Sequence, residues 1–384
     1  MQAVAAPFRQ RGYARCIDPD GARRILRGRR PSAAPTSGWA TGVSIADVNP
    51  VEKTMMSAPD ETLWWLGASV RLPSTSFVSN TKIAMLSALD TLTLLYTSGI
   101  GRRTARRAQR LAKSLKGESA PLGELLQAIQ ADHPRMPLPS GEDLRQGAEE
   151  ARVEIEHCEE AGIDILPAGS PGYPARLNGI EGWPPVLYRR GTSNGLLRSI
   201  AIVGTRDPSS WAPGRARAAA QCAVEAGLWV VSGLALGCDA AAHRSCLQAG
   251  GRTLALVAHG LDQVHPRDHE ELAARLLAGG GALISEHPPG VPPNTHRFIR
   301  RNRLQSGVSA GIIVAHSPAQ GGPMHTVRSA REQGRPIGVV VPTSAPLPEG
   351  NRMLLEHGAT PLPDAPALQR FIDRLPLDLA GEHE

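Results

Sequence analysis

Aromatic residues make up only 4% of these 384 residues, so the chain has little with which to stack on nucleobases. No apolar run approaches the roughly 18 residues of a spanning helix, and no membrane span is expected. The five cysteines, Cys16, Cys158, Cys222, Cys238 and Cys246, are odd in number and scattered. None forms a C-x-x-C pair, and no Cys/His grouping has zinc-site spacing. A disulfide scaffold and a zinc module are therefore both excluded, and free thiols point to a reducing, cytoplasmic setting. No metal and no cofactor are expected.

What the chain does have is glycine, proline and unevenly spread positive charge. With 40 Gly, 33 Pro and 41% hydrophobic residues it reads as a globular chain with many loops. The net charge is a mild +6, yet seven basic residues and no acid lie between Arg102 and Lys116. Four arginines and no acid lie between Arg297 and Arg303. Clusters of this kind attract phosphates, although a charged run also serves as an ordinary solvated face.

Residues 1–80 are rich in Arg, Ala, Ser and Gly without periodicity, and read as a disordered or irregular extension. Residues 81–165 read as a small helical domain, opening with Leu86, Leu89 and Leu92 at helical spacing and breaking at "SGIG" before a basic helix. That break, Gly99-Ile100-Gly101-Arg102-Arg103, is similar to a helix-hairpin-helix turn; the domain is of that kind or of the SAM kind. Residues 166–365 alternate short apolar strands ("IAIVG", "LWVVS", "TLALVA", "GALIS", "GIIVAH", "PIGVVV") with amphipathic helices. This pattern predicts an α/β fold, a doubly wound, parallel, extended Rossmann-like sheet. Residues 366–384 read as a C-terminal tail.

Ligands of such sheets sit at the carboxyl ends of the strands, and three stretches fall there. "IAIVGTRDPS" ends a strand on Gly204-Thr205-Arg206, where a dinucleotide fold needs a second glycine; Arg206 in that place argues for external phosphates and against NAD. "SGLALGCDAAAH" gives Ser232, Gly233 and a helix start, with Asp239 placed as N-cap and His243 one turn on. An Asp/His catalytic pair finds no supported nucleophile beside it, so Asp239 and His243 are read as a cap and a packed histidine. "THRFIRRNRLQSGVS" opens a helix on which Arg297, Arg300 and Arg301 share a face while Arg303 points elsewhere. Asn302 and at least one of the arginines are expected to bond within the fold.

In this order the stretches resemble the DNA-processing protein A family (DprA, also called Smf). The resemblance rests on "GSPGYPARLNGIEGWPPVLYRRG", "IAIVGTRDPS", "VVSGLALGCDAAAH", "GRTLALVAHGLDQVHP", "GALISEHPPG", "FIRRNRLQSGVS" and "EGNRMLLEHGA". It implies a non-enzymatic protein that binds single-stranded DNA and loads the RecA recombinase in natural transformation, acting as a homodimer. Gly204, Thr205, Arg206, Ser232, Gly233, Arg297, Arg300, Arg301 and Arg303 are the DNA-binding candidates, with Asp239, His243 and Asn302 structural. The sequence departs from the family pattern at "VAHSPAQGGPMHTVRSA", which lacks an acid and an S-G-S run, and at Ile299, which replaces a proline. The alternative is a nucleotide-binding module of the lysine-decarboxylase-like (LOG) fold, a sensor or a nucleoside monophosphate phosphoribohydrolase. Of its P-G-G-x-G-T-x-x-E loop, "QGGPMHTVRSARE" has the glycines, while the first acid is Glu332, well downstream.

Overall fold

The computed structural model describes residues 85–115, 120–194, 196 and 198–377. The extension expected over residues 1–80 lies outside the described residues. The first four helices are α1 (Ala88–Tyr96), α2 (Arg102–Ser114), α3 (Leu122–Asp132) and α4 (Gly141–Glu160). Ser87 and Ser140 start α1 and α4 through reciprocal capping boxes with Asp90 and Asp143, which satisfy two orphan amide donors at each end. Small residues on one side of α2, Ala105, Ala108 and Ala112, pack with Leu94, Leu125, Leu126 and Ile129.

A nine-stranded sheet follows: β1 (Asp164–Pro167), β2 (Val186–Gly191), β3 (Ser199–Gly204), β4 (Trp229–Ser232), β5 (Thr253–Val257), β6 (Ala282–Ser285), β7 (Gly311–His316), β8 (Ile337–Val340) and β9 (Thr360–Leu362). Its order is β1-β2-β6-β5-β4-β3-β7-β8-β9. The seven strands from β6 to β9 pair in parallel. The sheet is not wholly parallel, however: β1 and β2 run antiparallel at one edge. The interleaved helices are α5 (Ala212–Glu225), α6 (Cys238–Gln248), α7 (Glu270–Ala278), α8 (Thr295–Val308), α9 (Gly322–Glu332), α10 (Glu349–Glu356) and α11 (Ala365–Asp373).

Alternation along β3 explains the layering. Ile200 and Ile202 enter one core with α5 and Phe371 of α11, while Ala201 and Val203 enter the other with Leu304 of α8 and Val327 of α9. Both faces are covered, which is why the central strands are continuous apolar runs. From β3 the chain winds outward through β4, β5 and β6, then returns to β7 on the opposite flank and continues through β8. The carboxyl ends of β3 and β7 therefore border the crevice where the strand order reverses.

The helices and the sheet are joined by buried polar contacts. Glu286, just past β6, accepts from Arg102 of α2 at 2.9 Å and from both terminal nitrogens of Arg303 of α8 at 2.7 and 2.8 Å. Glu154 of α4 accepts from the hydroxyls of Tyr96 and Tyr188. Gln109 of α2 donates to the Pro185 carbonyl at 2.7 Å.

Candidate nucleic-acid interface

A cleft of about 490 Å³ opens at that crevice, lined by Gly204, Thr205, Arg206, Asp239, Phe298, Arg301, Asn302 and the start of α9 around Gly321 and Gly322, among others. The three loops read from sequence thus converge on one rim. Their roles there are unequal.

Arg206 is exposed at the mouth, with its guanidinium 4.9 Å from the centre of the Phe298 ring. A contact of that kind stabilises by about 0.5–1 kcal/mol at an exposed site and holds the cation in place. Arg301 is buried in the cleft wall. It donates from Nη1 to the Leu256 carbonyl at 2.5 Å, while its Nε has no partner. Burial draws its pKa down to about 10, opposed by the Asp239 charge. No carboxylate among the described residues lies within ion-pair distance of it. Gln305, which sequence reasoning passed over, supports it from one turn along α8. With its amide turned to satisfy both ends, its oxygen accepts from Gly233 N at 2.9 Å and Arg301 Nη1 at 3.1 Å.

The turn after β4 is a support rather than a contact surface. The Ser232 hydroxyl, expected to face an anion, is buried and donates to the Ile202 carbonyl at 2.7 Å. Gly233 is buried under Arg301; a Cβ there would stand 1.9 Å from Nη1, so only glycine lets the guanidinium lie against the turn. Leu234 carries φ +57, a left-handed conformation that costs a non-glycine residue roughly 1–2 kcal/mol. Three side chains hold it. Asp239 accepts from the Gly233 and Ala235 amides at 3.1 and 3.4 Å. His243 Nε2 accepts from Leu234 N at 3.3 Å, and His269 Nδ1 donates to the Leu234 carbonyl at 2.8 Å.

Asp239 consequently does not cap α6, as its spacing predicts. Gly237 holds the N-cap position with φ +76, and the carboxylate bends back onto the turn before it. His243 is fully buried and its tautomer follows from its neighbours. The Thr253 hydroxyl donates to the Val230 carbonyl, so its oxygen accepts from His243 Nδ1–H at 2.7 Å and Nε2 remains the acceptor. Burial holds this imidazole neutral, its pKa down at about 3. The Cys238 thiol, packed against Gly204, is pushed up to about 12 by burial and the Asp239 charge. The thiol is thus held protonated, and both nitrogens of the imidazole are engaged in supporting the fold.

On α8, Arg303 turns away from the cleft into the Glu286 pair and the Gly182 carbonyl. Arg297 and Arg300 are half-buried and stand outside the cleft lining; Arg297 Nη1 donates to the Pro292 carbonyl at 2.8 Å. Asn302 donates to the Gly322 carbonyl at 3.1 Å and so ties α8 to the start of α9. No side chain caps α9, and its glycine-flanked start lies at the rim. Pro323 has no N–H and the Met324 and His325 amides donate to the Gly321 carbonyl, so what this start offers the rim is the positive end of the helix dipole.

A doubly wound, mostly parallel sheet with a cleft at its reversal point is the Rossmann-like architecture, in which ligands bind at the carboxyl ends of the strands. Within that architecture the assignment is specific. The family model for DNA recombination-mediator protein A matches residues 164–373, more than half of the chain, and the chain belongs to that family. It is 38% identical over 197 residues to Protein Smf of Escherichia coli (strain K12), covering 51% of this chain and 53% of that one. It is 36% identical over 204 residues to DNA processing protein DprA of Bacillus subtilis (strain 168), covering 52% and 68%. The chain thus spans little more than half the length of the Escherichia coli relative. The X-ray structure of DNA processing protein A from Streptococcus pneumoniae aligns with a TM-score of 0.62 at 24% identity, covering 74% of this chain and 98% of that one. This likeness is one of fold.

Proposed function

We propose that the chain is a non-enzymatic single-stranded DNA binder whose cleft grips the sugar-phosphate backbone. One observation carries the reading: Arg301 lines the cleft as a buried guanidinium with no carboxylate of the described residues within ion-pair distance. A cation in that state gains most from an anionic oxygen entering the cleft. Arg206 at the mouth adds a second cation, and the Thr205 hydroxyl and the positive end of the α9 dipole border the same space. Phosphate contacts of this kind read no sequence, and affinity falls steeply with salt.

The family's description as a recombination mediator and the relatives' names as DNA-processing proteins support a role in DNA handling. On the family resemblance, that role is delivery of the strand to a RecA recombinase during natural transformation, by a homodimer in the cytoplasm. No bond-breaking step is assigned. The test is a mobility shift of oligo-dT against duplex DNA at two salt concentrations, with Arg206→Ala alongside. The single strand is expected to bind more tightly than the duplex and to lose affinity with salt, and Arg206→Ala weakens it about tenfold. Equal binding by Arg206→Ala, or complete competition by a nucleoside monophosphate, would refute the assignment.

A further inference from the structure

α2 carries a second concentration of positive charge that the cleft does not use. Its inward face is Thr104, Ala105, Ala108, Gln109 and Ala112. Opposite them Arg103, Arg107 and Arg110 recur at i, i+4 and i+7 and form one stripe. Arg103 and Arg110 are exposed and Arg107 half-buried, with Lys113 exposed at the flank. Among the described residues no ion pair involves any of these four.

The packing of α2 uses only Arg110 of the three, against the buried Trp183 ring. Like charges at i, i+4 repel, and arginines in the first turn oppose the helix dipole. The neighbouring α4 shows the usual alternative, pairing Arg145 with Glu142 and Arg152 with Glu149 along its surface. Two other α2 arginines are used to moor the helix: Arg102 on Glu286, and Arg106 on the Trp183 carbonyl at 3.3 Å. The stripe borders these moorings at Arg110, whose guanidinium lies 5.8 Å from the centre of the Trp183 ring, while Arg103 and Arg107 face outward from the helix.

The stripe is also joined to the cleft by further cations. Arg102 shares Glu286 with Arg303 of α8, two residues from Arg301. Between them His287 is buried within the field of Arg102, Arg297 and Arg300, and its imidazole is held down to about 3 by burial and by those charges, against Glu286. Arginines thus follow one another from Arg301 through Arg303 to Arg102 at the start of α2, with the Glu286 carboxylate shared between the last two.

We infer that the Arg103–Arg107–Arg110 face of α2 is a second phosphate-backbone contact, which takes the stretch of single strand leaving the cleft across α8. This rests on the proposed reading of the cleft, and it makes affinity depend on strand length. The test uses the full chain and its Arg103→Gln/Arg107→Gln/Arg110→Gln variant, with oligo-dT of about 8 and about 40 nucleotides. The variant should bind the long strand about tenfold more weakly, with a salt slope shallower by about 2, and bind the short strand within about twofold of the parent. Its melting temperature should stay within a few degrees of the parent's, because relief of repulsion within α2 offsets loss of the Arg110–Trp183 contact. An undiminished affinity for the long strand, or an equal loss on both lengths, overturns the inference. Anionic phosphatidylserine vesicles captured by the parent and released by the variant, with DNA binding intact, would assign the stripe to a lipid surface instead. Failure of the cleft reading looks different: Arg301→Ala would leave the short strand bound as before, while the variant's loss on the long strand persisted.

Discussion

Arg301 and Arg303 lie two residues apart on α8, and together they show how little a run of arginines says about its use. Both are buried or nearly so, and both contact backbone carbonyls. Arg303 meets Glu286 through both terminal nitrogens; burial pushes the Glu286 carboxyl up, but the Arg303 and Arg102 cations outweigh it and hold the group well below its ordinary range. Arg301 faces a cleft with no such acid in contact, and desolvation lowers its own pKa. One flank of α8 fastens the helices to the sheet; the other keeps a cation available.

The largest effect expected from this contrast is on stability at the Arg303 flank. Glu286→Ala leaves two guanidinium groups without their counter-charge in a buried joint and should cost about 3–5 kcal/mol in urea melts. A loss below about 1 kcal/mol would break the contrast by showing the joint to be dispensable.

A pH series sharpens it next, because each flank holds a buried neutral imidazole, His243 under the turn and His287 beside Glu286. Both are held down to about 3 by burial, whereas in the unfolded chain a histidine titrates near 6.5. Between these values the unfolded chain takes up protons that the fold refuses, so stability is complete above about pH 6.5 and falls as the pH is lowered toward 3. From pH 6.5 to 5 the loss is about 2 kcal/mol for each histidine. Urea midpoints over this range should fall, and fall less steeply in His243→Asn. An identical slope in that variant contradicts the assigned tautomer and burial.

Gly233→Ala comes third. The new methyl collides with Arg301 Nη1, so the guanidinium must leave its seat at about 1–3 kcal/mol of stability. Single-strand affinity should drop as it does in Arg301→Ala, measured by fluorescence anisotropy; unchanged affinity would separate the turn from the cation. The smallest effect is that of Asn302→Ala, which removes the tether to Gly322 and should cost about 1 kcal/mol in thermal melts.

Much of the architecture could be read from the chain itself, since β3 to β8 are continuous apolar runs and the helices between them have clear ends. β1 and β9 escaped because they are short edge strands, one beginning on exposed Asp164 and the other carrying an exposed proline. The antiparallel edge depends on long-range pairing, which leaves no local signal. At the rim, spacing put Arg301 and Arg303 on different faces of α8 but grouped Arg297 and Arg300 with Arg301, and both stand outside the cleft lining; helix geometry alone says nothing about partners 17 residues away. Glu286 offered a clue: a lone acid directly after a buried strand, in a chain whose arginines come in clusters. Asp239 and Ser232 were legible as polar groups at a turn, while the direction of their bonds was set by the strained backbone at Leu234. The Arg102–Lys116 run was visible as charge; its division into mooring and outward faces emerges only when α2 is docked.

The most direct measurement compares Arg301→Ala with Arg303→Ala for binding of a short oligo-dT across a salt series. The account predicts a loss of about ten- to a hundredfold and a shallower salt dependence for Arg301→Ala, with Arg303→Ala within about threefold of the parent while it remains folded. Equal losses in the two, or a greater loss in folded Arg303→Ala, would contradict it.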